Sequence, residues 1–170
     1  ESSILYDIHG EERRTIIPWE QIPESVKNST LASEDSEFYN HKGLDFTGIL
    51  RAFYKDIISL DTSQGGSTIT QQLIKKTLLT DDKTLPRKIK EVILSVRLER
   101  QFDKDQILWM YLNQIPYGSN AYGIEAASQT YFGKSAKNLT VSESALLAAL
   151  IKAPSYYSPY GNHVAELISR

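Results

Sequence analysis

Along the first seventeen residues the apolar side chains fall in two short β-friendly runs, Ser3 to Ile8 and Arg13 to Ile17, separated by a turn at His9-Gly10-Glu11. That spacing predicts a linker or short N-terminal β-hairpin over 1–18. After Pro18 the period becomes helical. Pro23 suits a first helical turn and predicts a helix running toward Ser33. Asp45 is the expected cap of another helix, whose Ile49, Leu50, Phe53 and Ile57 form one apolar stripe. Leu60 to Gly66 is polar and glycine-ended, the composition of a mobile loop.

Ser67 is the expected cap of a helix reaching about Leu79, which Asp81-Asp82-Lys83 breaks. From Pro86 a helix is predicted to about Gln101, with Ile89, Val92, Ile93 and Val96 turned inward. Asp103 starts the next helix, ending near Gln114 ahead of Pro116 and Gly118. Ala121 to Phe132 reads as a further helix closed by Gly133. Thr140-Val-Ser-Glu143 is a capping box opening an Ala/Leu-rich helix that Pro154 ends. Nothing after residue 18 alternates with period two. The expectation is a mainly α fold whose helices are too short and varied for a bundle.

Composition narrows the class. A chain of 170 residues with 41% hydrophobic and 24% charged residues is an ordinary globular domain, able to bury about 70% of its unfolded surface. Nineteen Lys and Arg against 21 Asp and Glu give a net charge of −2, which argues against a polycation that coats nucleic acid. The absence of cysteine removes disulfide frameworks, thiolate metal sites and cysteine nucleophiles. No run approaches the ~20 apolar residues of a membrane span, and the start carries no signal pattern. The chain opens at Glu1 and stops at Arg170 inside a helical-looking segment that begins at His163. It reads as a piece excised from a longer protein, and any membrane anchor would lie outside it.

Three clusters could carry chemistry. The segment from Glu34 to Asp45 crowds Glu34, Asp35, Glu37, His41 and Asp45 together, with Phe38 and Gly43 among them. A solvated acidic turn is the plain alternative, although Phe38 and Gly43 suit such a turn badly. Next, Gly65-Gly66 leads into Ser67-Thr68-Ile69-Thr70-Gln71-Gln72, where Thr68, Gln72 and Lys75 fall on one helical face behind an anion-ready entry. The alternative is the polar outer face of an amphipathic helix. Finally, Lys83 to Lys104 holds seven basic and three acidic residues, with Arg87, Lys88 and Glu91 at its centre. That group is either a surface i,i+4 ion pair or a cationic phosphate site with a carboxylate beside it. Carboxylates suit glycosyl chemistry and Lys/Arg suit diphosphate, so the three together suggest sugar transfer from a phosphate-linked donor.

These residues carry a resemblance. The order Glu34-Asp35-x-x-Phe38-x-x-His41-x-Gly43, Gly66-Ser67-Thr68-Ile69-Thr70-Gln71-Gln72-Leu73-x-Lys75, Arg87-Lys88-x-x-Glu91 to Leu98-Glu99, Ile107-Leu108-x-x-Tyr111-Leu112-Asn113 with Gly118, and Leu146-Leu147-Ala148 to Pro154 resembles the peptidoglycan glycosyltransferases of family 51. These are domains of class A penicillin-binding proteins and monofunctional transglycosylases. The likeness runs from about Ile22 to Tyr160. Lys76, Ser95 and Trp109 depart from the family's usual asparagine, alanine and glutamate.

The resemblance implies a lysozyme-like large lobe with a smaller mobile lobe beside the membrane, together forming a glycosyltransferase domain over 19–170. It implies polymerisation of lipid II into β-1,4-linked glycan at the extracytoplasmic face of the bacterial cytoplasmic membrane. In that reaction a C4 hydroxyl attacks the anomeric carbon of a donor linked through diphosphate to a polyprenol. By the same resemblance Glu34 is the general base and Glu91 the second glutamate. Thr68, Gln72, Lys75, Arg87 and Lys88 match donor-site positions, while Asp35, Phe38 and His41 match positions that shape the loop. Lipid II, the nascent strand, the membrane surface, a fused transpeptidase domain and moenomycin-type inhibitors are the implied partners, with no nucleic acid. A divalent cation, Mg or Mn, has a place at the diphosphate.

Elementary chemistry is compatible with those roles. A sugar hydroxyl gains ~10²–10⁴ in rate when a carboxylate accepts its proton. A diphosphate leaves as a stable anion and needs cations rather than a proton donor. A lysozyme-like hydrolase would instead require a protonated glutamate and has no use for Lys75, Arg87 and Lys88 around one site. A silent lipid II-binding module is the third alternative, disfavoured by the presence of both glutamates.

Overall fold

The computed structural model describes residues 13–43, 67–79 and 84–169. The run Ser3 to Ile8, the helix expected from Asp45, the loop from Leu60 to Gly66 and the break at Asp81-Asp82-Lys83 lie outside the described residues. Among the described residues the fold is mainly α: α1 (Glu24–Glu34), α2 (Ile69–Leu78), α3 (Leu85–Gln101), α4 (Lys104–Gln114), α5 (Ile124–Phe132), α6 (Val141–Ile151) and α7 (Val164–Ser169). A small sheet of β1 (Arg13–Arg14), β2 (Pro116–Gly118) and β3 (Ala121–Tyr122) has the order β1-β3-β2.

The two short strands at 116–122 replace what the sequence pattern reads as loop and helix start. Ser119 and Asn120, at φ 50° and 57°, make the two-residue turn between antiparallel β2 and β3. Strand β1 lies parallel to β3, Arg13 opposite Ala121. Helix α5 therefore begins at Ile124 rather than Ala121, after Gly123 at φ 82°. A Cβ on Gly123 would stand 2.4 Å from the Asn113 carbonyl oxygen, so the chain crosses α4 at a distance only glycine permits. Helix α5 ends as expected, on Gly133 in the left-handed region.

Helices α2, α3, α4 and α6 start on side-chain caps. Asp103 with Gln106 opens α4 and Thr140 with Glu143 opens α6, each as a reciprocal box. Helix α2 is a correction: Thr68, not Ser67, is its cap. The reason is legible, since Thr68 has Gln71 three residues on, and that amide accepts the Thr68 N–H at 2.9 Å. Helix α3 is a second correction. Ile89 and Ile93 are about half exposed, and the residues it buries are Glu91 and Ser95. The burial of Glu91 is matched by Arg87 and Lys88, and Ser95 is small enough to admit a neighbouring backbone. Gly43, at φ 85°, approaches the Ser95 backbone so closely that a Cβ would stand 3.2 Å away.

The core gathers Phe38, Ile69, Leu108, Tyr111, Leu112 and Leu147, each fully buried and each contributing roughly 1.5–3 kcal/mol of apolar burial. Helix α1 packs chiefly on α6, and α2 on α3 and α4. The segment before α1 is fastened to α4. The Asn113 side chain accepts from Ile17 N–H at 2.9 Å, and Trp109 Nε1 donates to the Ile17 carbonyl at 2.8 Å. The Trp109 surface thus serves to dock the N-terminal segment.

Candidate active site

The site is assembled where the end of α1, the start of α2 and the first half of α3 meet. Glu34 is the last residue of α1 and Asp35 its C-cap. Burial of Asp35, at 8% exposure, is matched by two donors: Ile69 N–H at 3.0 Å and His41 Nε2–H at 3.0 Å. The first is a backbone donor at the start of α2, where the helix dipole favours a carboxylate. Asp35 thereby locks the loop after α1 to α2. Phe38 is fully buried, edge-on to His41 at 6.0 Å, with the Lys104 ammonium 4.3 Å from its ring centre. Asp35, Phe38 and His41 form the framework of the loop rather than an open face.

Glu34 is only partly buried. Its Oε2 accepts from Gln72 Nε2 at 3.0 Å, and the same amide nitrogen reaches the Ser67 carbonyl at 3.4 Å. Gln72 Oε1 in turn accepts the Tyr111 hydroxyl at 2.9 Å. Tyr111 is held protonated, well above its ordinary value, by burial first and then by the charge of Glu34. The hydroxyl of Tyr117 is pushed up by the same two causes, and among the described residues it has no hydrogen-bond partner.

At the other end Glu91, 1% exposed, accepts from Arg87 Nη1 at 2.7 Å and from Lys88 Nζ. Lys88 also donates to Ser67 Oγ at 3.2 Å. Ser67 therefore stands between the two carboxylates, its carbonyl toward Gln72 and Glu34 and its hydroxyl toward Lys88 and Glu91. The Arg87 Nε–H is buried without a partner among the described residues. The pair is not a surface ion pair.

The stripe expected from Thr68, Gln72 and Lys75 is corrected in one member. Thr68 is buried at the cap and donates its hydroxyl to the Gly43 carbonyl at 3.0 Å, so it fastens the loop instead of lining a helix face. Gln72 and Lys75 are partly buried on α2. Ser67 and Tyr111 are the members that residue-by-residue reasoning passed over, because each acts through a partner distant in sequence. Neither is near enough to a charge cluster to draw notice by itself.

The family described as Transglycosylase matches residues 1–170. The chain is similar to penicillin-binding protein 1F of Bacillus subtilis, 49% identical over 93% of this chain and 23% of that protein. It is also similar to penicillin-binding protein 1A of Rickettsia bellii, 49% identical over 94% of this chain and 20% of the other, and to that of Aquifex aeolicus, 49% identical over 92% and 22%. The chain spans about a fifth of the length of these relatives.

Proposed function

The chain belongs to the transglycosylase family of peptidoglycan glycosyltransferases, and on that premise we propose that it polymerises lipid II with Glu34 as general base. The observation that carries the reading is the bridge through Ser67, which sets a solvent-reachable carboxylate and a cation-bound buried one on either side of one helix entry. A transferase needs a base and an anion site side by side, and a hydrolase does not.

In the proposed reaction the acceptor C4 hydroxyl attacks the anomeric carbon of the donor. The new C1–O bond forms as the bond from C1 to the diphosphate oxygen breaks. The hydroxyl proton goes to Glu34, and the polyprenyl diphosphate departs as an anion. Arg87, Lys88 and Lys75 neutralise that anion. Glu91 orients the two cations. Because Glu34 only removes a proton, the displacement is single and inverting, giving a β-1,4 linkage from an α-linked donor.

A divalent cation enters the proposal only as a counter-ion held chiefly by phosphate oxygens, as magnesium commonly is. Among the described residues no group of three or more His, Asp or Glu converges, and both Glu91 oxygens are occupied by cations, so these side chains do not fit a dedicated cage. No step is routed through it. The lysozyme-like and membrane-side lobes, action at the extracytoplasmic membrane face, a transpeptidase domain in the longer protein and capture of moenomycin-type inhibitors belong to the same proposal. No helix among the described residues is long and apolar enough to cross a membrane.

Labelled lipid II is the test. The expected product is polymer that lysozyme digests. Fragments released from finished glycan, with no polymer from lipid II, would transfer the reading to a hydrolase.

A further inference from the structure

We propose that Tyr111 is a positioning residue for the reaction, acting on Glu34 through the side-chain amide of Gln72. The inference rests on the reading of Glu34 as the base. Gln72 has two neighbours that can only accept, the Glu34 carboxylate at 3.0 Å and the Ser67 carbonyl at 3.4 Å, both on its nitrogen. Its oxygen faces the Tyr111 hydroxyl at 2.9 Å. An amide has two donors and one acceptor oxygen, so this is the only orientation in which each contact pairs a donor with an acceptor. Turned over, the amide would set its oxygen against a carboxylate.

Tyr111 is what makes the orientation durable. Its ring is fully buried in the core beside Leu108 and Leu112, while its hydroxyl emerges at Gln72. A hydroxyl on a ring fixed by packing is a rigid donor, whereas Gln72 alone has three rotatable bonds. The chain Tyr111–Gln72–Glu34 thus runs from an immobile core position to a partly exposed carboxylate. Holding Oε2 from the inside fixes the carboxylate plane, which a base requires when it must meet one hydroxyl in one geometry.

Lipid II turnover and thermal unfolding of Tyr111→Phe, Gln72→Met, the double variant and Glu34→Gln test this. Tyr111→Phe is expected to lower kcat by roughly 5- to 15-fold, the rate equivalent of one hydrogen bond, with KM changed by less than about twofold. In the Gln72→Met background, Tyr111→Phe is expected to cost no further kcat, because the route to Glu34 is already cut. An equal loss in both backgrounds would overturn the inference, as would wild-type kcat for Tyr111→Phe when Glu34→Gln is inactive. An active Glu34→Gln would overturn the base reading itself. If Tyr111→Phe does not fold, the wild-type chain decides by NMR. The buried Tyr111 hydroxyl proton should exchange slowly, and its resonance should move in Glu34→Gln. A resonance that exchanges fast or does not move overturns the proposal.

Discussion

Arg87 Nη1 donates to Glu91 Oε2 at 2.7 Å inside the protein, where the Glu91 side chain is 1% exposed and Lys88 holds the other oxygen. A carboxylate so placed depends on its cations, because removing a partner leaves a buried charge uncompensated. Arg87→Ala should therefore destabilise the fold, toward the lower end of ~3–5 kcal/mol since Lys88 remains. Urea unfolding measures it. Lys75, partly buried and unpaired among the described residues, gives the contrast: Lys75→Ala should change stability by less than about 0.5 kcal/mol while slowing use of the diphosphate donor. Equal unfolding midpoints for both variants would contradict the buried-pair account.

Glu34→Gln keeps the shape of the side chain and removes its basicity. Polymer formation is expected to fall by at least ~10² with the unfolding midpoint preserved. Near-normal turnover would remove Glu34 from the base role.

Asp35 joins the end of α1 to the start of α2 through Ile69 N–H and to His41 within the loop. Asp35→Ala should cost roughly 1.5–3 kcal/mol, the worth of a hydrogen bond to a charged group, and strip protection from the Ile69 amide. Hydrogen exchange reads this directly, and an Ile69 amide protected as in the wild type would count against it.

Gly123 combines φ 82° with a 2.4 Å approach of its virtual Cβ to the Asn113 carbonyl oxygen. Gly123→Ala is expected to lose more than the ~1–3 kcal/mol of backbone strain alone, because α4 backbone must also move. Gly133→Ala meets nothing within 4 Å and pays only the left-handed conformation. Thermal unfolding should rank the two variants in that order.

Glu143 is held down to about 2 by the Lys134 ammonium first, then by the Thr140 N–H and hydroxyl. A carboxyl lowered in the folded state adds stability above its unfolded value near 4.5, and that stability is lost as pH falls toward 2. Glu143→Gln can still complete the capping box, so it isolates the charge. The Tm gap between wild type and Glu143→Gln should narrow from pH 5 to pH 2. A constant gap would mean that the charge does not contribute.

Local chemistry was legible in the sequence wherever it acts between near neighbours. Thr140 with Glu143, Asp103 with Gln106, Pro86 in a first turn and Gly133 after the last turn of α5 each specify a helix end within four residues. The carboxylate–histidine segment at 34–41 and the cations at 87–88 were visible as clusters because charge in close sequence is charge in close space. Tertiary structure decided the rest. Whether Arg87 and Glu91 lie on a surface or in the interior cannot follow from an i,i+4 spacing, which is the same in both. It followed from the close approach of Gly43 to Ser95, which turns the polar side of α3 inward and leaves Ile89 and Ile93 partly exposed. The hairpin at 116–122 gained a third strand when β1, from far back along the chain, paired with β3, a partnership beyond any window of periodicity. The link from Tyr111 to Glu34 required three helices to bring a core hydroxyl, an amide and a carboxylate into line, and hydrogen bonds at 3 Å are set by packing, not by order along the chain.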